Sequence, residues 1–508
     1  MHIFICIPQT WEIAASFAIA VAALTSWLVL RWPRHDKGTR APKPPPGPRD
    51  IPLLGNLGLS NHVDLYRKCM RWADKYGPIF SLRMGAANIV VLNDFPSVKK
   101  FYSMKESLTR TQKTVLHNNP VGKGLASLNG EAWKQNRRFS LSVLRGLGFG
   151  KTSMEEHIKE ELRYLIQHIS TASGSAIPVQ EFLLPSTSNV ITALLFGTTY
   201  ALEDPRRKRL IQHVTTFASL VASSWMVISI PDWLSGIFSA LPFTRMGAIR
   251  RERQKLLEFV RDRVQEHNLT LHEDNNRDFI DGYLKKMKEH QNEPNSPFQE
   301  EHLLGNAVDF YTAGTHTPAS FIHWLLAVCA QKRDTVQSRI QREIDDHVGH
   351  ERQPSWEDRK KMHFTMASVF EILRWKNPSP VISPRGPQEN TILNGYVIPK
   401  GTVVMSNIMA VHRDPTLWER PNDFDPTRFL SADGSCPAKR PEQIITFSVG
   451  KRMCPADKLA TVEMFLYVTS LLQKFTVFPE EGKRLPRLDS LEVTKAHPAV
   501  SKLRFVPR

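Results

Sequence analysis

Ile13 to Leu30 carries no charged residue and reads as one hydrophobic helix of about the shortest length that spans a bilayer. From Asp50 onward, apolar residues recur mostly with helical spacing. Two exceptions alternate instead. Ile79-Phe-Ser-Leu-Arg-Met84 and Asn88-Ile-Val-Val-Leu92 flank a glycine and predict a small hairpin. Val397 to Met405, around Pro399-Lys400-Gly401, predicts a second strand pair. Leu303 to Ala330 predicts a long apolar helix. Gln331 to Val348 is amphipathic and charged, and Lys361 to Trp375 predicts a further helix ending before Pro378. The fold class predicted is mainly α with minor β (α+β).

The 508 residues are 41% hydrophobic, enough for a large core, and no repeat is visible. The formal charge of +17 suits an anionic membrane surface or an acidic protein partner. The basic residues are dispersed and form no nucleic-acid module. No Lys or Arg precedes the Ile13–Leu30 run, whereas Arg31, Arg34, Lys37, Arg40 and Lys43 follow it. A cleaved secretory peptide has the opposite order, so the asymmetry predicts an uncleaved signal anchor with the body of the chain on the cytosolic side. The expected organisation is an anchor over 1–31, a basic, proline-rich hinge over 32–49 and one globular domain over 50–508. Lys43-Pro-Pro-Pro-Gly47-Pro48 within the hinge predicts a stiff, extended spacer.

The chain has five cysteines, an odd and scattered set from which neither a disulfide framework nor a zinc cluster is readable. Cys454 differs from the others. It lies in Phe447-Ser-Val-Gly450-Lys-Arg452-Met-Cys454-Pro-Ala456, a loop that leads straight into an apolar helical stretch. Lys451, Arg452 and a helix N-terminus beside it favour thiolate over thiol. Such a thiolate can be the single strong donor to a haem iron; buried apolar filler is the alternative use of a free cysteine.

Ala313-Gly314-Thr315-His316-Thr317-Pro318 interrupts the long apolar helix. Small residues there let a large flat group lie close. Pro318 lacks an N–H, so the Gly314 carbonyl loses its helical partner and the helix is expected to bend or open. The freed carbonyl and the Thr317 hydroxyl would then line a polar notch. A packing kink with Thr317 bonded back into its own helix is the other reading. Elsewhere, Trp133 and Arg137 stand one turn apart and offer only donors, which suits a carboxylate. Glu371 and Arg374 share a helical face, taken alone an ordinary ion pair.

These motifs, with Ser383-Pro384-Arg385 and Pro426-Thr-Arg428-Phe429, resemble in order and spacing those of the cytochrome P-450 family, closest to the animal microsomal drug- and steroid-metabolising branch. Trp133 to Arg145, Gly148 to Lys151 and the ending Phe505-Val-Pro-Arg508 share that likeness. The resemblance implies the cytochrome P-450 fold, with haem b (iron protoporphyrin IX) ligated by Cys454 in a loop shaped by Phe447 and Gly450. Trp133, Arg137, Arg385 and Arg452 would hold its propionates. Ala313 and Gly314 would make room over the iron, Thr317 and His316 would relay protons, and Glu371, Arg374 and Arg428 would form a buried structural network. The chain departs from the family pattern at His316, where an acid is usual, at Pro318 in place of a second threonine, and at Ala456 in place of glycine.

The implied function is a monooxygenase that inserts one oxygen atom from O2 into a lipophilic substrate. Electrons would come from NADPH through NADPH-cytochrome P-450 reductase, with cytochrome b5 as a further donor. The implied location is the endoplasmic reticulum membrane, single-pass, with the catalytic domain facing the cytosol. A haem-thiolate peroxide isomerase or dehydratase that needs no reductase, and a non-catalytic haem-binding protein, are the alternatives. Lys113–Leu125, Phe217–Val221, Phe310, Val381–Ile382 and the stretch around Ala496–His497 are expected at the substrate. Phe238, Leu241 and Phe243 are expected at the membrane surface.

Overall fold

The computed structural model describes residues 42–508 apart from 52–54, 57–61, 112–122, 149–151, 202, 223–229, 231, 273–274, 438 and 489–501. The Ile13–Leu30 anchor and residues 32–41 of the hinge therefore lie outside the described residues. Among those described, no helix is long and apolar enough to cross a membrane.

Helices dominate. In chain order they include α1 (His62–Tyr76), α2 (Phe95–Ser103), α3 (Gly130–Gly146), α4 (Thr152–Thr171), α5 (Val179–Phe196), α6 (Pro205–Ala222), α7 (Asp232–Ala240), α8 (Arg245–Leu269), α9 (Phe279–Glu289), α10 (Glu300–Gln331), α11 (Ser338–His347), α12 (His363–Trp375), α13 (Ile408–His412) and α14 (Asp457–Lys474). The longest, α10, spans 32 residues and runs through the core. Its second half, Pro318 to Ala330, is buried without a break, as expected of a helix apolar all round. Helix α5 is buried on nearly every face and packs along α10. Thr187 Oγ1 on α5 donates to the Thr315 carbonyl at 2.8 Å, and Ser188 pairs with Tyr311 Oη at 2.7 Å.

Among the described residues the strands are few. β1 (Ile79–Met84) and β2 (Ala87–Leu92) form the expected antiparallel hairpin. The second strand pair is not built as the sequence suggested. β4 (Thr391–Leu393) pairs with β5 (Tyr396–Ile398) around Asn394-Gly395, and β6 (Val403–Ser406) leaves to pair parallel with β2. Asn394 and Gly395 both take positive φ, the conformation a two-residue hairpin turn demands, so this turn outcompetes Pro399-Lys400-Gly401. A third small sheet orders β3 (Ala176–Pro178), β8 (Lys502–Pro507) and β7 (Phe475–Pro479).

The proline-rich segment is not a free spacer over its described part. The Pro46 and Pro45 carbonyls accept from the Ser81 backbone N–H and hydroxyl, both at 2.7 Å, and the Lys43 carbonyl accepts from Val397 N at 3.1 Å. A Cβ at Gly47 would sit 1.8 Å from the Ser81 carbonyl oxygen, so only glycine allows this approach.

Candidate active site

The Cys454 loop is closed by its own backbone. Met453 N donates to Gly450 O at 3.0 Å and Cys454 N to Phe447 O at 2.8 Å. Gly450 has φ +78°, and a Cβ there would meet Tyr102 O at 2.1 Å. Glycine is thus required both by conformation and by crowding. Ala456 has φ −99° and ψ 17° at the start of α14, so the alanine that replaces the usual glycine carries no left-handed strain.

The electrostatics of Cys454 differ from expectation. Burial pushes its thiol up, and this outweighs the lowering contributed by the Ala456 N–H, Arg137 and Arg440. Lys451 points to solvent, and neither Lys451 nor Arg452 is among the groups that lower the thiol. A thiol set this way keeps its proton in water and would give it up to solvent only on binding a metal cation.

Around the loop lies a group of arginines that no surface role explains. Arg137 Nη2 donates to Met453 O at 2.7 Å. Arg452 lies 4.0 Å above the Trp133 ring and donates to Leu128 O at 2.6 Å and Asn129 Oδ1 at 3.0 Å. Arg385, only 1% exposed, covers the Tyr102 ring at 5.2 Å and bridges the backbones of Arg110 and Val404. Arg110 Nη1 donates to Ser383 O at 2.8 Å. Six guanidinium nitrogens remain buried without an acceptor: Arg110 Nε, Arg385 Nε, Nη1 and Nη2, and Arg452 Nε and Nη1. Burial, reinforced by Arg385 and Arg137, pushes Arg452 down to about 9, and Arg110 is depressed well below its ordinary value by burial and by Arg385, Arg452 and Arg137. Buried cations stripped of acceptors are costly unless an anion completes them. The cluster therefore fits a ligand carrying acidic groups, as the two haem propionates are. Trp133 serves here as a ring platform between Arg137 and Arg452.

Helix α10 carries the other expected residues. It stays helical through Pro318, so the expected opening is not seen. The Thr315 hydroxyl bonds back to Tyr311 O at 2.8 Å, and α5 takes the Thr315 carbonyl, which locks this turn from the side. A Cβ on Gly314 would come 2.9 Å from Ile191 Cγ1, so Gly314 makes room for α5 rather than for a flat ligand. Ala313 is exposed in mid-helix and Thr317, one turn on, is partly open, which leaves this strip of α10 uncovered. His316 is partly buried and its Nε2 has no partner. Burial pushes its pKa down to about 4, so it is a neutral imidazole at pH 6–8 and not the neutral-range titrating group its ordinary pKa suggests. Thr312 Oγ1 and Ser320 Oγ, one turn to either side, are also without partners.

Glu371 and Arg374 are both fully buried and meet through Nε–Oε2 at 2.8 Å and Nη2–Oε1 at 2.6 Å. Glu371 Oε1 also accepts from Arg428 Nε at 3.2 Å and Asp425 N at 2.9 Å, and Arg374 Nη1 reaches the carbonyls of His412 and Pro421. The ordinary helical ion pair of the sequence reading is thus the centre of a buried network that fastens α12 to the segment around Arg428.

Of the residues expected at the substrate, Phe217 and Ile382 are core, Phe310 packs edge-on to Phe279 at 5.6 Å, and 113–122 and 496–497 lie outside the described residues. Phe238 and Phe243 are exposed, with Ile237 beside them. Arg110 and Arg440, the latter 4.6 Å from the Phe447 ring, were not legible, since neither sits in a motif.

A family model described as Cytochrome P450 matches residues 45–501. Cytochrome P450 2J2 of Homo sapiens is 33% identical over 467 residues, 91% of each chain. Cytochrome P450 2G1 of Oryctolagus cuniculus is 34% identical over 472 residues, 92% of this chain and 94% of the relative. Cytochrome P450 2B4 of the same species is 32% identical over 478 residues, 93% and 96% of the two chains. Matched along nearly its whole length, this chain belongs to the cytochrome P450 family, monooxygenases that use haem b, O2 and NADPH electrons delivered by a reductase.

Proposed function

We propose that this chain is a microsomal monooxygenase that inserts one oxygen atom into a lipophilic organic substrate, with Cys454 as the axial ligand of its haem. The observation that carries this reading is the set of six buried, acceptor-free guanidinium nitrogens beside the Cys454 loop. Arg110, Arg137, Arg385 and Arg452 would hold the propionates by charge-assisted hydrogen bonds. When bound, the haem supplies the iron at which O2 is activated. The protein's own residues do the rest. The Phe447–Cys454 loop keeps the sulfur at a fixed position and limits the water that reaches it. Ala313 leaves space on the open strip of α10. Thr317 Oγ1 and the unpartnered His316 Nε2 are groups on that helix that can hold a proton and pass it on. Glu371, Arg374 and Arg428 keep α12 in place behind the site.

The reading extends to the partners. NADPH-cytochrome P-450 reductase, with cytochrome b5 as a second donor, would dock on this basic protein by charge. The Ile13–Leu30 segment would anchor the chain in the endoplasmic reticulum membrane, with the body in the cytosol and the exposed Ile237, Phe238 and Phe243 touching lipid.

The test is spectroscopic first. The reduced carbon monoxide complex should show the red-shifted Soret band of thiolate ligation, and Cys454→His should lose it. An imidazole-type spectrum in the intact wild type refutes the ligand assignment. Product formation with NADPH and reductase, over a panel of steroids, fatty acids and xenobiotics, then tests the reaction. Turnover of organic peroxides alone would instead support the isomerase reading, against which the retained Thr317 stands and for which the departures at His316 and Pro318 speak.

A further inference from the structure

A second candidate binding site lies away from the Cys454 loop. Helices α4 and α6 stand on either side of α5, and the space between them is a cleft with two lobes of about 560 and 620 Å³. Both lobes are lined by His168, Thr171, Phe182 and Arg207, so they form one continuous cleft. Each lobe is of a size that accepts a small organic molecule. Leu165 in one and Ile211 in the other extend the apolar surface that Phe182 begins.

Arg207 sits where the lobes join and is 5% exposed. Its Nη1 donates to Tyr200 O at 2.9 Å and its Nη2 to Glu161 at 3.1 Å. Its Nε is buried and has no acceptor. Nε is covered as it stands, so a small turn of the guanidinium must bring it to the cleft, and its lack of a partner favours a turn that gives it an acceptor atom. The charges restrict what can bring that acceptor. Glu161 already neutralises Arg207, and Lys208 is paired with Glu203 at 2.6 Å. Glu160 and Glu181 add negative charge to the lining. An anionic ligand would meet net repulsion, whereas an uncharged carbonyl or ether oxygen would not.

We infer that this cleft binds an uncharged lipophilic molecule whose single hydrogen-bond acceptor meets Arg207 Nε. Its floor carries the occupancy inward. Ser186 and Asn189 of α5 line the cleft, while the intervening Thr187 donates to the Thr315 carbonyl of α10 and Ile191 packs against Gly314. A ligand that presses on α5 therefore presses on the turn of α10 that bears His316 and Thr317. The site is one for an effector rather than for the molecule being oxidised.

Benzophenone is an uncharged, lipophilic ketone that cross-links to neighbouring C–H groups on irradiation, so it reports its own location. The full-length holoprotein is irradiated with benzophenone while 4-phenylimidazole fills the haem pocket, and the adducts are mapped by peptide mass spectrometry. Saturable labelling is expected on the peptides bearing Leu165, Phe182 and Ile211. Thr171→Trp, which fills the waist of the cleft from an exposed position, should cut it at least fivefold. Arg207→Lys, which keeps the charge beside Glu161 but removes Nε, should also weaken it. Labelling confined to other peptides, or unchanged in Thr171→Trp, overturns the proposal. Because the readout is an adduct and not turnover, failure here leaves the haem reading untouched. Failure of the haem reading likewise leaves the cleft labelling as it is.

Discussion

Replacing Arg385 by methionine should change sign in its effect with the occupancy of the site. Without an anion, Arg385 has three buried nitrogens and no acceptor, and it lies near Arg137, whose charge acts against its own. Removing it from the apoprotein deletes an unsatisfied buried cation, so the variant apoprotein should melt at or above the wild-type temperature. With haem bound as proposed, the same change would delete charge-assisted hydrogen bonds to a propionate, each worth about 1.5–3 kcal/mol. Two such bonds, less the relieved repulsion between arginines, leave a net loss of about 3 kcal/mol, or roughly a hundredfold in affinity. The assay is haem transfer to excess apomyoglobin, followed at the Soret band, for wild type, Arg385→Met and Arg385→Lys. The methionine variant should lose haem roughly a hundredfold faster, and the lysine variant, charged but without the fork, should fall between. An off-rate within threefold of wild type in a variant with native circular dichroism refutes the reasoning. So does a lowered melting point of the apoprotein, because that would mean Arg385 already has the partner it needs.

Glu371→Ala leaves Arg374 and Arg428 without their shared carboxylate and should destabilise the folded protein by about 3–5 kcal/mol, read by denaturant titration; a change below about 1 kcal/mol would mean the network is not buried in solution. His412 Nε2 accepts from Ile445 N at 3.0 Å, and burial, with Arg374 and Arg413 adding to it, pushes its pKa down to about 3. It is therefore neutral when folded and takes up a proton when unfolded between pH 6.5 and 3, so that about 4 kcal/mol of stability drains away as pH falls through that window; His412→Gln should lessen this acid sensitivity, and an unchanged slope would contradict it. His316→Ala should lower product formed per NADPH consumed about threefold or more and raise peroxide release, whereas wild-type coupling should not follow an imidazole titration between pH 6 and 8, since His316 is neutral throughout. Unchanged coupling in His316→Ala would leave Thr317 as the side chain that serves.

What the chain's local patterns encode was readable in advance. The β1–β2 hairpin, α10 and the Cys454 loop each follow from a few neighbouring residues, namely alternation around a glycine, a long apolar period and a glycine held at positive φ. What depends on distant partners was not. β6 goes to β2 across some three hundred residues, and nothing near Val403 signals that choice. Gly314 looks like space for a ligand until Ile191 arrives from another helix. Arg110 lies in Leu108-Thr-Arg-Thr111, a stretch with no motif, and becomes significant only when Arg385 and Arg452 are folded beside it. The same holds for the thiol of Cys454: its sequence neighbours Lys451 and Arg452 suggested a lowered pKa, but burial, a property of the whole fold, outweighs the cations that do reach it.

The docking of Lys43 on β5 and of Pro45 to Gly47 on β1 bears on where the chain leaves the catalytic body. Proline carbonyls can accept from a strand, but proline nitrogens offer nothing to a further one. The segment thus covers the outer edge of β1 at Ser81, while Gly55 and Asn56 cover it at Met84 and Arg83. It also works as a weld rather than a string. Peeling it from the body must first break the hydrogen bonds at Ser81 and Val397 and lift Gly47 from a seat that no other residue fits. The point at which the chain leaves the catalytic body is thereby fixed at Lys43, and lengthening the chain before Lys43 would leave that point of departure unchanged.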